Sequence, residues 1–348
     1  MKKNKKVIFN GVFLVAVFAL TIYGVFHGED LESMMDAIRS TDKRCLAPGR
    51  ARVAFLSGGK SIIIWYMVLS YGYKQKKRPF FFFSSVVFFF SCIPPSAGGG
   101  QPMQAYYMKK KNIPIPVSAV ILMIITITYK LVLVVIGIGV AVFGRGFLHQ
   151  YLEGILPVFY LGLALNIFCV TFMTILVFHP LLARTFMVWG LKILEKLHIL
   201  RRKDGRLKKL EDSMDAYRDT AAYLKTHSKV IANVIGITFV QRMAMFAVTW
   251  FVYRSFSLSG TGFWTVLFLQ AVISVSVDML PLPGGMGISE TLFLTIFTPV
   301  FGTLLLPGMV LSRGLGYYGE LLISALFTIV AQLTIGHEHD SKEKESYE

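Results

Sequence analysis

Long apolar runs separated by short basic ones dominate the chain, and the lengths of the apolar runs predict its elements. Runs at 7–26, 115–143, 154–179, 229–254 and 304–335 each reach the ~20 residues that span a bilayer as a helix. Phe80 to Ile93 falls short: its ~21 Å of helix, at ~1.5 Å per residue, does not cross a ~30 Å hydrocarbon core. It runs into Pro94-Pro95-Ser96-Ala97-Gly98-Gly99-Gly100-Gln101-Pro102, and residues 104–108 then lead back to Lys109-Lys110-Lys111. The apolar stretch at 263–280 is interrupted in the same way, by Pro281-Leu282-Pro283-Gly284-Gly285-Met286-Gly287-Ile288-Ser289-Glu290, before 288–301 resumes.

In hydrocarbon every unpaired backbone N–H or C=O costs several kcal/mol, so irregular backbone survives only where it lines a protein cavity or a water path. Broken segments in both halves of a membrane protein point to a transport site between repeats. The basic clusters set the orientation. Lys2 to Lys6 and Lys74 to Arg78 mark the cytoplasmic side, and Lys109 to Lys111 returns there. The first broken hairpin therefore enters from the cytoplasm, and the second, after three more crossings (115–143, 154–179 and 229–254), enters from outside. The expected fold is an all-α polytopic membrane protein with inverted-topology repeats and two broken re-entrant helical hairpins. Its bounds are a single integral domain at 1–335 and a polar tail at 336–348. Repeat one covers about 47–179, a basic connector 180–228, and repeat two 229–335. Both termini are expected in the cytoplasm, and the host membrane is expected to be the plasma membrane. Residues 30–40 carry apolar and charged positions at helical spacing, as an interfacial helix does. The segment 51–73 is the irregular span, because it carries Arg52, Gly58, Gly59 and Lys60.

Composition agrees. Of 348 residues, 54% are apolar and only 16% charged, below the ~25% charged usage of soluble proteins. The net charge of +16 sits mostly beside apolar runs, which argues for anionic lipid and against a nucleic-acid partner. The first apolar run exceeds the ~7–15 residues of a signal peptide and ends in Tyr23-Gly24-Val25-Phe26-His27, so an uncleaved helix is expected. Cys45, Cys92 and Cys169 have neither disulfide nor zinc spacing. His337-Glu338-His339 lacks the partners of a metal site. No cofactor is expected.

The candidate chemistry gathers at the breaks. Glycines 98, 99 and 100, and 284, 285 and 287, permit positive φ and close approach of a ligand to backbone. A half-helix starting after each break aims free N–H groups at the cavity, an anion site. Glu290 falls in the first turn of the second half-helix, with Gln101 as its neutral counterpart; capping its own helix and meeting the cargo are both open to it. Asp278 is the other intramembrane acid and, with Glu290, a candidate for coupling to a proton. Lys130, Arg242 and Arg313 are cations within spans, with snorkelling as the alternative for Lys130. Arg313, Tyr317, Tyr318 and Glu320 form one polar face, and Arg binds phosphate through a bidentate fork. The Phe80–Phe83 and Phe88–Phe90 clusters read as packing or lipid contact rather than a ligand cage. No P-loop, GxSxG or HExxH motif is present, which argues against a self-contained enzyme.

On Pro94 to Lys110, Pro281 to Glu290, and Arg313 with Tyr317-Tyr318, the chain resembles the lysylphosphatidylglycerol synthase transmembrane, or flippase-like domain, family. The resemblance spans nearly the whole chain and implies a protein that moves or handles polar lipids. In the fused members, the multiple peptide resistance factors, this module translocates aminoacylated phosphatidylglycerol made by a C-terminal soluble domain, masking negative surface charge. Read to Glu348, the chain is expected to lack that domain. The expectation is a lipid translocase with membrane phospholipids as partners. The headgroup would rest on Gly98, Gly99, Gly100, Gln101, Gly284, Gly285, Gly287, Glu290, Arg313, Tyr317 and Lys130, with the phosphate on the half-helix N-termini, Arg313 and Lys130, and Glu290 meeting an amine or the coupling proton. The alternatives are a membrane subunit of a phosphatidylglycerol lysyltransferase working with a separate aminoacyl-lipid synthase, or a scaffold beside a glycosyltransferase.

Overall fold

The computed structural model describes residues 31–73, 78–92, 100–196, 206–280, 285–328 and 330. The expected helix at 7–26, the glycines Gly98, Gly99 and Gly284, both proline runs and the His337–His339 tail lie outside them.

The described residues are helical, with no strand among them, and the chain is a multi-pass all-α membrane protein. A short amphipathic α1 (Leu31–Arg39) precedes α2 (Lys43–Ser70), which Asp42 caps by accepting from the Arg44 N–H at 2.8 Å. The irregular span of the sequence is thus one continuous helix. Then come α3 (Arg78–Cys92), α4 (Gly100–Lys110), α5 (Ile115–Phe143), α6 (Arg145–Leu152) and α7 (Leu156–Phe178). Proline in the first turn starts α5 and α7, where a missing N–H costs nothing. The connector forms α8 (Pro180–Lys196) and α9 (Arg206–Thr226), and α10 (Ser228–Ser255) follows. The second hairpin is α11 (Phe263–Val277) and α12 (Ile288–Phe301). A closing helix begins as α13 (Leu305–Arg313), widens into a π-helical turn at Gly314–Tyr318 and remains helical through 319–328. By length and apolarity α5, α7, α10 and the run Ile288–Thr328 can cross a membrane, whereas α3 and α11, at 15 residues each, cover only ~22 Å.

The arm read from the sequence at 288–301 is α12, which carries Pro299 inside its last turn. Proline is tolerated in this last turn, and Gly302, at φ 54°, makes the actual reversal.

Among the described residues two large apolar cores form, and the long helices run through both. One holds Leu46, the second half of α5 (Val132 to Val140), the start of α7, the second half of α10 (Phe246 to Tyr253), and all of the second hairpin. The other holds the end of α2 (Ile63 to Val68), Val86 of α3, Tyr107 and Met108 of α4, the first half of α5 (Val117 to Ile124), part of α9 and the start of α10. Since α2 passes from the first core to the second and α10 from the second to the first, these two helices run antiparallel against each other. The two hairpins belong to different cores. Between the cores lies a waist, at the level of Lys60 on α2, Tyr129 and Lys130 on α5, and Arg242 on α10.

Candidate functional site

The waist is where the ionisable side chains of the spans meet. A charge at that depth is expensive unless paired. Gly285 and Gly287, at φ 65° and 84°, lead out of the second break into α12, a backbone path that residues with a Cβ rarely take. The Gly287 N–H, unpaired at the helix start, donates to Glu290 Oε2 at 2.8 Å. The other oxygen, Oε1, accepts from Arg313 Nε at 2.7 Å and faces the Tyr318 hydroxyl at 3.4 Å. Glu290 is 2% exposed. The same carboxylate both caps its own helix and binds a cation. It stands at the half-helix N-terminus, where an external anion would otherwise sit.

Arg313 reaches Glu290 because the two lie nearly equidistant from the Gly302 reversal, on adjacent arms. Its guanidinium also lies 4.9 Å from the Tyr317 ring centroid and 6.0 Å from that of Tyr318. The polar face expected from regular helical spacing is altered by the π-helical turn, which holds Tyr317 and Tyr318 beside Arg313. Glu320 turns away from that group and pairs with Lys60 of α2 at 3.2 Å. Met286, Tyr317 and Phe88 pack together there, and the Lys60 ammonium sits 5.1 Å over the Phe88 ring.

Elsewhere at the waist, Lys130 Nζ binds Asp278 Oδ2 at 2.5 Å, and Tyr129 donates its hydroxyl to Asp278 Oδ1 at 2.7 Å. Lys130 therefore does not snorkel; it ties α5 of the first half to the end of α11 in the second. Arg242 lies over the Tyr129 ring, 3.7 Å from its centroid.

The first hairpin repeats the scheme without charge. Gly100 opens α4 against α3 so closely that a Cβ would fall 2.5 Å from the Val87 carbonyl oxygen and 2.1 Å from Ser91 Oγ. Gln101, next along, donates to Thr126 Oγ1 of α5 at 2.6 Å. It is exposed, and it does not meet Glu290, Asp278 or either of their cations.

The structure therefore brings Glu290 to Arg313 and Tyr318, and Asp278 to Lys130, while Gln101 and Gly100 sit apart. Sequence reasoning missed Tyr129 and grouped Glu320 with Arg313, whereas its partner is Lys60, read from the sequence only as an irregularity of its span. The signal available for Lys60 was its presence in an otherwise apolar segment; nothing local named its partner 260 residues away. Among the described residues no cluster of three or more His, Cys, Asp or Glu could hold a metal ion.

The profile of one protein family, described as the lysylphosphatidylglycerol synthase TM region, matches residues 8–324. No curated protein matches the chain.

Proposed function

This chain belongs to the lysylphosphatidylglycerol synthase transmembrane-region family, and on that premise we propose that it is a lipid translocase. Its cargo in this reading is a polar phospholipid, anionic or aminoacylated, such as phosphatidylglycerol or its lysyl form. The headgroup crosses through the waist while the acyl chains stay in the bilayer. The work belongs to the plasma membrane, with both termini cytoplasmic, and it adjusts the charge of the cell envelope and the response to cationic peptides.

The observation that carries this reading is the buried Glu290–Arg313 pair at the start of a broken half-helix. An internal carboxylate there is a stand-in for a phosphate, released when a headgroup takes its place on Arg313 and the α12 N–H groups. Lys130–Asp278 supplies a second exchangeable pair, and Asp278 or Glu290, once released, is the group available to take a coupling proton. An inverted repeat is supported by the matched series of a 28-residue helix, a 15-residue helix, a break and a short arm in each half. It is also supported by the antiparallel α2 and α10 and by the placing of the two hairpins in different cores. The basic connector is the surface offered to a separate aminoacyl-lipid synthase or glycosyltransferase.

The test is transbilayer movement of labelled phosphatidylglycerol and lysyl-phosphatidylglycerol in liposomes carrying the full chain, with Glu290→Gln and Arg313→Ala alongside. Faster movement than in empty liposomes, reduced by both substitutions, is expected. Wild-type rates equal to those of empty liposomes would sink the proposal.

A further inference from the structure

Every carboxylate at the waist has a cation: Asp278 has Lys130, Glu290 has Arg313 and Glu320 has Lys60. One cation is left over. The Arg242 guanidinium contacts the Met245 sulfur at 3.1 Å and the Tyr129 ring at 3.7 Å, and among the described residues no carboxylate pairs with it. A thioether is a weak acceptor and an aromatic face only a partial counter-charge. Snorkelling does not relieve it. Arg242 is the fifteenth residue of a 28-residue helix, ~20 Å along the axis from either end, and the side chain is far shorter than that. Its level is fixed independently by the two cores, since Val234 one way and Phe246 the other are buried in different ones.

We infer that Arg242, seated on Tyr129, is an anion-binding residue for the phosphodiester of the transported headgroup, the position a headgroup occupies before it displaces an internal carboxylate. Five N–H donors on a planar fork, only one of them directed at sulfur, suit two phosphate oxygens. Tyr129 links this position to the exchangeable pairs. Its ring lies against Arg242 while its hydroxyl holds Asp278, so an anion arriving on Arg242 lies one side chain from the Lys130–Asp278 pair. The inference rests on the translocase reading for its cargo, but the residue's affinity for an anion is measurable without transport.

Binding is read by titrating the detergent-solubilised full chain with dihexanoyl phosphatidylglycerol, with glycerophosphoglycerol and with inorganic phosphate. The variants are Arg242→Gln, Arg242→Lys, Met245→Glu and Met245→Gln. In Met245→Glu the new carboxylate, one turn from Arg242, neutralises it while leaving it in place. Arg242→Gln and Met245→Glu are each expected to weaken phosphatidylglycerol binding at least tenfold, Arg242→Lys less, and Met245→Gln less than twofold. If Arg242→Gln does not fold, Met245→Glu against Met245→Gln decides the matter. Loss for glycerophosphoglycerol or phosphate as well assigns the site to the phosphate group itself; loss for the lipid alone assigns it to a chain-anchored headgroup. Unchanged phosphatidylglycerol binding in Met245→Glu, or no measurable binding by wild type, overturns the inference. Wild type that binds but fails to move lipid in liposomes contradicts the translocase reading and leaves the Arg242 site standing.

Discussion

The two half-helices that follow the breaks are built to one plan and filled differently. In each, a residue of the first turn reaches across to the next long helix, Gln101 to Thr126 from α4 and Glu290 to Arg313 from α12. In each, the two partners lie nearly equidistant from the reversal between the arms. The α4 pair is neutral and Gln101 is exposed; the α12 pair is ionised and Glu290 is buried. A neutral contact at the surface is worth ~1 kcal/mol, whereas breaking a buried ion pair leaves an uncompensated charge worth ~3–5 kcal/mol. The shared plan is thus a way of joining hairpin to helix, and of the two described contacts the second alone is a buried ion pair, the one that the proposed exchange would use.

The comparison is broken most severely at Glu290. Glu290→Ala is expected to lower stability in detergent by ~3–5 kcal/mol and to abolish lipid movement, because it strands Arg313 and uncaps α12 together. Thermal unfolding and the liposome assay read the two losses. A double-mutant cycle pairing Glu290→Gln with Arg313→Gln comes next in size. A coupling energy of ~2–3 kcal/mol is expected from chemical denaturation, and additivity would mean that the pair is not formed in solution. Gly287→Ala should cost ~1–3 kcal/mol, since φ 84° has to be kept for the Gly287 N–H to face Glu290. Smallest is Gln101→Ala, at ~1 kcal/mol or less with transport retained. A transport loss there as large as that of Glu290→Ala would show that the first half-helix also carries the headgroup, and would erase the distinction drawn between the two.

Much of this plan is readable from residue order. Proline and glycine inside an apolar chain mark the breaks, run lengths separate full spans from half-spans, and an acid placed just after the second break marks Glu290. Arg313 is findable too, because a hairpin arm brings it back to Glu290 at a predictable distance along the chain. What residue order does not carry is pairing between elements far apart in sequence. Lys60 looks like a defect in a span until Glu320 is seen beside it, and Lys130 looks free to snorkel until the fold sets it against Asp278. Charge pairing is a property of approach in space, and local periodicity has no term for it. The π-helical turn at Gly314–Tyr318 is hidden for a related reason: its glycines permit a wide turn but do not demand one.

The central claim is that a lipid headgroup visits the waist between the two cores. Phosphatidylglycerol carrying a photoreactive group on its headgroup, irradiated with the full chain in nanodiscs and mapped by mass spectrometry, tests this directly. Adducts are expected on waist residues such as Met286, Tyr317 and Phe88, and their yield should fall in Glu290→Gln. Adducts confined to the outward faces of the spans, at residues such as Leu161 and Phe168 of α7, with none at the waist, would contradict it.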